Sequence, residues 1–248
     1  MEIKNIITEK IMQLEREGKE KLITALEEIG FFIKPASINH HSNEDKGLAI
    51  HSLEVMKNFK MLNERYNTNI PEDSIIISGL LHDVDKALNY TKEMQVTITS
   101  GQKSYLDTLF DQHYNTVIGN DLLKYKQNDF QISKEYASDL ISWLKDGGYD
   151  EPPEPVADWV RNKKSTPLNH PVHGLIFLAG LISLEEREIL AIRYHMGAYE
   201  EGLVGFKKKN IYTAENMYPD VRLLQLADQM ATVDEDFMKE FHTTEENV

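Results

Sequence analysis

Apolar side chains recur along most of this chain at three- and four-residue intervals, the spacing that gathers them on one face of an α-helix. Between residues 2 and 30, Ile3, Ile7, Ile11 and Leu14, then Leu22, Leu26 and Ile29, predict one or two amphipathic helices with Gly18 and Gly30 as break points. Pro35 and the polar run 39–47 read as a loop. Helices are expected over about 48–66 and 71–88, the second with Pro71 near its start. Alternating Val96 and Ile98 make 94–100 the strand candidate. The periodicity predicts further helices over 104–126 and 133–146, and a short one over 156–163 beyond the breaks at Gly147-Gly148 and 151–155. Two more follow, over 172–182 and 184–195. Ser183 three residues before Glu186 supplies a capping-box start to the second. The Gly- and Lys-rich run 202–210 reads as a loop or small hairpin, and a last helix is expected over 220–241. The chain shows no internal repeat. The fold class is therefore mostly α, a helical bundle with a helical insertion and room for a short hairpin. N-terminal helices occupy 1–34, the core takes 35–88 and 166–241, and the insertion spans 89–165.

Composition narrows the function classes. With 248 residues, 41% hydrophobic and 27% charged, the chain can bury a core as a single domain with an insertion. It has no cysteine, which excludes disulfides, thiolate zinc sites and cysteine nucleophiles and suits a reducing cytosol. The N-terminal stretch carries charges every few residues, and no segment approaches the ~20 apolar residues of a membrane span. A cytoplasmic protein without membrane contact is expected. A formal net charge of −14 repels a polyanion and argues against a long nucleic-acid footprint. It leaves room for a small phosphorylated ligand held through a local cation. Oligomeric state is not legible.

The chemistry lies where ionisable residues interrupt apolar helix faces. His51 shares a stripe with Leu48 and Val55. His82 and Asp83 sit inside the apolar run SIIISGLLHDVDKAL, and Asp228 lies with Val221, Leu224 and Ala231. A buried carboxylate without a partner costs several kcal/mol or more, so Asp228 requires a cation or strong donors. Singly, each residue has a plain structural role: a core histidine bonded to a carbonyl, or a capping aspartate. Together, a divalent metal bound by imidazoles and carboxylates satisfies all four.

The segments GLAIHSLEV, LLHDVDK, HPVHG, AIRYHMG and LLQLADQMAT resemble the successive motifs of HD-domain phosphohydrolases, over about 35–236 with a gap at the insertion. The nearest likeness is to small bacterial and phage HD hydrolases. The resemblance implies that His51, His82, Asp83 and Asp228 ligate a first metal. It implies that His173 and His195 ligate a second, with Asp83 bridging. His170 is the other histidine of that segment; the glycine after His173 favours His173. Lys86 matches the lysine that faces the phosphate in such proteins, and Asp83 would also act on the attacking water. His40 and His41 precede the first ligand and, with His170, are candidates to touch substrate. One or two divalent transition-metal ions are implied, and manganese, iron, cobalt, nickel or zinc all suit the ligands.

The implied reaction is hydrolysis of a phosphoester of a nucleotide, cyclic nucleotide or small phosphorylated metabolite by a metal-activated water. Two alternatives share the ligand order: a di-iron HD-type oxygenase and a non-catalytic HD sensor or interaction module. Lys86 and the hydrolase-like flanking motifs favour hydrolysis over oxygen chemistry, and the full ligand set argues against a module. The insertion is a candidate lid or subunit contact.

Overall fold

The periodic segments fold into helices. A computed structural model of the chain describes residues 2–38, 45–93, 96–113, 122–123, 125–127, 129–146, 153, 157–197 and 206–245, with backbone alone at 113, 206–208 and 233–245. Among the described residues there are eleven helices and one two-stranded antiparallel sheet. The helices are α1 (Ile3–Met12), α2 (Lys19–Glu28), α3 (Gly47–Tyr66), α4 (Glu72–Leu81), α5 (Asp85–Asn89), α6 (Ser100–His113), α7 (Lys134–Lys145), α8 (His170–Ala179), α9 (Glu186–Tyr194), α10 (Phe206–Met217) and α11 (Pro219–Glu245); the strands are β1 (Tyr90–Glu93) and β2 (Asp158–Arg161). No helix among the described residues is long and apolar enough to cross a membrane.

The chain divides into two compact units, residues 1–90 with 161–248, and residues 91–160. The first unit is built on α3, which packs against both α4 and α11, while α9 lies against α4, α8 and α11. Its core runs from Ile7, Ile11, Leu22 and Leu26 through Leu48, Val55 and Phe59 to Ile77, Leu80, Ile192 and Leu224, all fully buried. The stripes read from the sequence on α3 and α11 are the buried faces of those helices: Leu48 and Val55 on one, Val221, Leu224 and Ala231 on the other. The second unit has its own core, with Leu106 and Phe110 of α6 against Leu140 and Leu144 of α7 and Phe130 between them in the chain.

Two features fix where the site can form. The first is the α3–α4 crossing. A Cβ added at Gly79 would lie 2.6 Å from Met56 Cα and 2.8 Å from Met56 Cβ, so the helices approach at a distance that a side chain would prevent. The second is the anchoring of α9. Arg16, between α1 and α2, grips both carboxylate oxygens of Glu188 at 2.7 Å each, and also bonds Glu185 and the Ser183 carbonyl at 2.9 Å each. Glu188 is fully buried and also accepts from Ser74 of α4 at 2.8 Å. A buried carboxylate with a bidentate guanidinium and a hydroxyl is satisfied, and breaking such a set leaves an uncompensated charge.

Several expected boundaries shift. The helix expected over 71–88 breaks into α4 and α5 with a turn at 82–84, so the histidine–aspartate pair lies at a helix end. Residues 96–99 are irregular, and the strand lies earlier, at β1. Its partner β2 occupies the place expected for a short helix over 156–163; Trp159 and Val160 favour an extended chain, and Lys92 of β1 stacks over the Trp159 ring at 4.9 Å. Residues 206–210, expected in a loop or hairpin, are the first turns of α10. The cap of α9 is Glu185 paired with Glu188, not Ser183 with Glu186.

Gly79→Ala is expected to cost about 1–3 kcal/mol, because the added methyl meets backbone of α3. Urea denaturation of the metal-free protein measures it. A variant as stable as the parent would mean that the two helices separate freely, and that their close approach does not set the site.

Candidate metal centre

Two of the histidines are placed by the ends of their helices. His82 is the C-cap of α4 and His195 the C-cap of α9. The last carbonyls of a helix lack intrahelical donors. His82 Nδ1 donates to the Gly79 carbonyl at 3.0 Å, and His195 Nδ1 donates to the Ile192 carbonyl at 2.7 Å, each three residues back. A carbonyl only accepts, so the proton is fixed on Nδ1 and Nε2 is turned inward. Both Nε2 atoms are buried and have no hydrogen-bond partner.

These rings form part of a row. The centroids of His51 and His82 are 5.5 Å apart, those of His82 and His195 5.0 Å, and those of His195 and His170 5.3 Å. Asp228 of α11 faces one end of the row, its Oδ1 3.1 Å from His51 Nε2 and 3.7 Å from His82 Nε2. Asp83 lies along the middle with its two oxygens turned different ways. Oδ2 is 3.3 Å from His82 Nε2 and 3.7 Å from His51 Nε2; Oδ1 is 2.6 Å from His170 Nε2 and 3.3 Å from His195 Nε2. Lys86 closes the first side, with Nζ 2.5 Å from Asp83 Oδ2. Three overlapping groups thus place their donor atoms within 4.8 Å of one another: His51, His82 and Asp228; His82, Asp83 and His195; Asp83, Asp85 and His170.

His170, rather than His173, joins this row. Gly174 explains the choice. A Cβ there would lie 3.2 Å from Val84 Cγ1 and 3.8 Å from Asp85 Cβ, so this face of α8 is pressed against the turn that carries Asp83. His170 is four residues before Gly174 and shares its face, whereas His173 is rotated off it. His173 belongs to none of the three groups, and its Nδ1 is buried without a hydrogen-bond partner. The glycine of HPVHG therefore marks the face of the earlier histidine.

Asp85 is a site residue that the sequence reading passed over. It is fully buried, with Oδ1 2.6 Å from His170 Nδ1 and Oδ2 accepting from Asn89 at 2.7 Å. The available signal was a second aspartate two residues after the first, at the start of the next helix. His40 and His41, and also Tyr199 and Glu200 after HMG, lie outside the described residues, as do the side chains of His113 and His242. Arg193 stacks over Tyr194 at 4.9 Å, and Arg222 pairs with Glu215 at 2.8 Å.

The electrostatics of the row follow from its carboxylates. Burial alone would lower His82, but Asp83 and Asp228 overcome it and push the group up to about 10. His170 is likewise opposed by burial and raised to about 9 by Asp83 and Asp85. His195 is lowered, by burial first and then by the neighbouring His82 and His170. Burial works against ionised Asp83, yet Lys86, His82 and His170 hold it well below the usual carboxylate range. Lys86 is raised in turn by Asp83, against its burial. Protonated His82 and His170 together with Lys86 set three cations against Asp83, Asp85 and Asp228. A divalent ion can replace two of those protons without changing the charge of the site. Imidazole nitrogens and carboxylate oxygens in a buried cluster, with two Nε2 atoms lacking partners, fit a transition-metal ion and suit magnesium or calcium poorly.

Comparison with known proteins agrees with this chemistry. The family model described as HD domain matches residues 48–232. The dihydroneopterin 2',3'-cyclic phosphate phosphodiesterase of Methanocaldococcus jannaschii is 35% identical over 79 residues, which are 30% of this chain and 32% of that protein. The likeness thus spans about a third of that relative's length. No solved structure matches.

Because the raised groups carry protons at neutral pH, metal loading is expected to release protons from His82 and His170, and affinity to climb with pH until about 9 to 10. The sign for the metal-free fold is opposite. Stability contributed by the raised histidines is fully present below 6.5 and is lost as pH rises through about 9 and 10. Calorimetric titration of Mn2+ in two buffers of different ionisation enthalpy reads the protons released. Equal heats in both buffers would show that the imidazoles are already neutral.

Proposed function

The chain belongs to the HD-domain family, and from that premise we propose that it is a metal-dependent phosphohydrolase acting on a nucleotide, a cyclic nucleotide or a small phosphorylated metabolite. The observation that carries the proposal is the buried row of imidazoles threaded by Asp83 and Asp228, with two Nε2 atoms that have no hydrogen-bond partner within the protein. In this reading His51, His82, Asp83 and Asp228 would hold a first divalent ion, and Asp83, His170 and His195 would hold a second. When bound, such ions would supply a water acidic enough to act as hydroxide near neutral pH and positive charge for the phosphoryl oxygens.

The protein's own groups do the rest. Asp83 offers one oxygen to each side, so it would be shared by the two ions, and as a carboxylate held ionised it would accept a hydrogen bond that orients the attacking water. Lys86 is tethered to Asp83 and its side chain is 22% exposed, so a fixed cation beside Asp83 reaches solvent and is available to a substrate phosphate. His195, lowered by burial and by its charged neighbours, keeps a lone pair for coordination near neutral pH. No cysteine is present to act as a nucleophile, and none is required. The activity named for the Methanocaldococcus jannaschii relative supports a cyclic phosphodiester as the first substrate to try. The net charge of −14 argues against a long nucleic acid.

The test combines metal counting with a substrate panel. The purified chain is analysed for transition metals, then incubated with nucleoside monophosphates and with 2',3'- and 3',5'-cyclic nucleotides, with products followed by phosphorus NMR. Asp83→Ala is expected to lose both metal and turnover. Lys86→Met is expected to keep the metal while kcat falls about 10²–10³-fold, as for loss of one group that stabilises transition-state charge. Bound metal with oxygen consumption and no hydrolysis would replace this reading by the di-iron oxygenase. A chain that binds no metal after reconstitution with manganese or iron would refute it.

A further inference from the structure

We infer that Asp85 is a positioning residue that holds His170 against Asp83 and so makes His170 a ligand of the second ion. The inference rests on the two-ion reading above and adds to it a residue outside the ligand set. Asp85 stands in the first turn of α5, where an acidic residue is ordinarily a solvated partner of the helix dipole. Here it is fully buried, one oxygen is hydrogen-bonded, and the other has no hydrogen-bond partner but lies in ion-pair contact with His170. Oδ1 meets His170 Nδ1 at 2.6 Å, and Oδ2 takes a hydrogen from Asn89 at 2.7 Å. Asn89 is braced from its other end, its carbonyl accepting from the Asn162 backbone at 2.7 Å.

His170 is thereby gripped along both edges of its ring. Its Nδ1 edge faces Asp85 and its Nε2 faces Asp83 Oδ1 at 2.6 Å. The other row histidines of known ring contact, His82 and His195, are oriented by carbonyls of their own helices. His170 cannot use that device. It is the first residue of α8, where no helical carbonyl precedes it, so its orientation must come from elsewhere. Asp85 supplies it where α8 passes the turn, a Cβ added at Gly174 lying 3.2 Å from Val84 Cγ1 and 3.8 Å from Asp85 Cβ. A carboxylate behind a ligating histidine fixes the ring and raises its basicity, and loss of such a partner lowers metal affinity about 10–100-fold.

The experiment is Mn2+ titration of the full chain, with free Mn2+ read by electron paramagnetic resonance, for the parent protein and for Asp85→Ala, Asp85→Asn and His170→Ala. Two ions are expected on the parent. Asp85→Ala is expected to weaken one ion about 10–100-fold and leave the other within about threefold. Asp85→Asn, which keeps an oxygen in the same place, is expected to recover part of that loss, and His170→Ala to lose the same ion. Equal weakening of both ions by Asp85→Ala, or no weakening, overturns the inference, as does His170→Ala with two tight ions. If the alanine variant fails to fold, as judged by circular dichroism, the near-isosteric Asp85→Asn decides by the same criterion: one ion weakened supports the role, both or neither overturns it. A parent that binds one ion overturns this inference and leaves the hydrolase reading standing; a parent that binds none overturns both.

Discussion

Asp83 is the point on which the first unit turns. Its carboxylate is almost wholly buried, and one oxygen faces His51, His82 and Lys86 while the other faces His170 and His195. Removing an ionised carboxylate from water costs several kcal/mol, and only a surround of cations and donors on both sides offsets it. Those partners come from α3, α4, α5, α8 and α9, so the charge balance of one residue fixes the relative placement of five elements. The close α3–α4 crossing at Gly79 and the Arg16–Glu188 clasp on α9 are the apolar and polar means by which that placement is kept.

The site also shows how a helix end orients an imidazole. His82 and His195 each stop a helix, each satisfies a carbonyl three residues back, and each then presents Nε2 to the centre. One ring performs two tasks. The proton placed on Nδ1 by the backbone is what makes Nε2 available, so secondary structure and coordination chemistry are set together. The break between α4 and α5 belongs to the same logic. Had the helix continued through 82–84, the ladder would have claimed the Gly79 carbonyl, and the ring would have needed another partner.

Much of this was legible in the chain. The stripes containing His51 and Asp228 are set by 3.6-residue periodicity, and both fall where periodicity puts them, against Leu48, Val55, Val221 and Leu224. What escaped was tertiary. The choice between His170 and His173 depends on which face of α8 meets the turn at Val84–Asp85, and periodicity within a mostly apolar ten-residue helix does not identify that face. Gly174 does, once it is read as a site of close approach and not as part of a motif. Asp85 escaped because an acidic residue in a first helical turn has an ordinary explanation, which its burial removes. The exchange of a short helix for β2 has the same cause, since strand pairing with β1 is a contact made across 64 intervening residues (94–157) that no local window contains.

The charges of the metal-free centre show why the fold can exist before it is loaded. Three carboxylates and four imidazoles packed together would be untenable if every histidine were neutral. The raised His82 and His170, with Lys86, bring the cluster close to neutrality by binding protons. His195 is lowered instead, by its burial first and then by the charge of His82 and His170. Protons therefore balance the charge that a divalent metal would balance, and loading would exchange one kind of cation for another within a buried row already placed by packing. That exchange would tie three properties together through one set of groups. A more acidic medium would favour protons over metal, a more basic one would remove the protons and leave the unloaded carboxylates opposed to one another, and a bound metal would stabilise the fold where the protons no longer can.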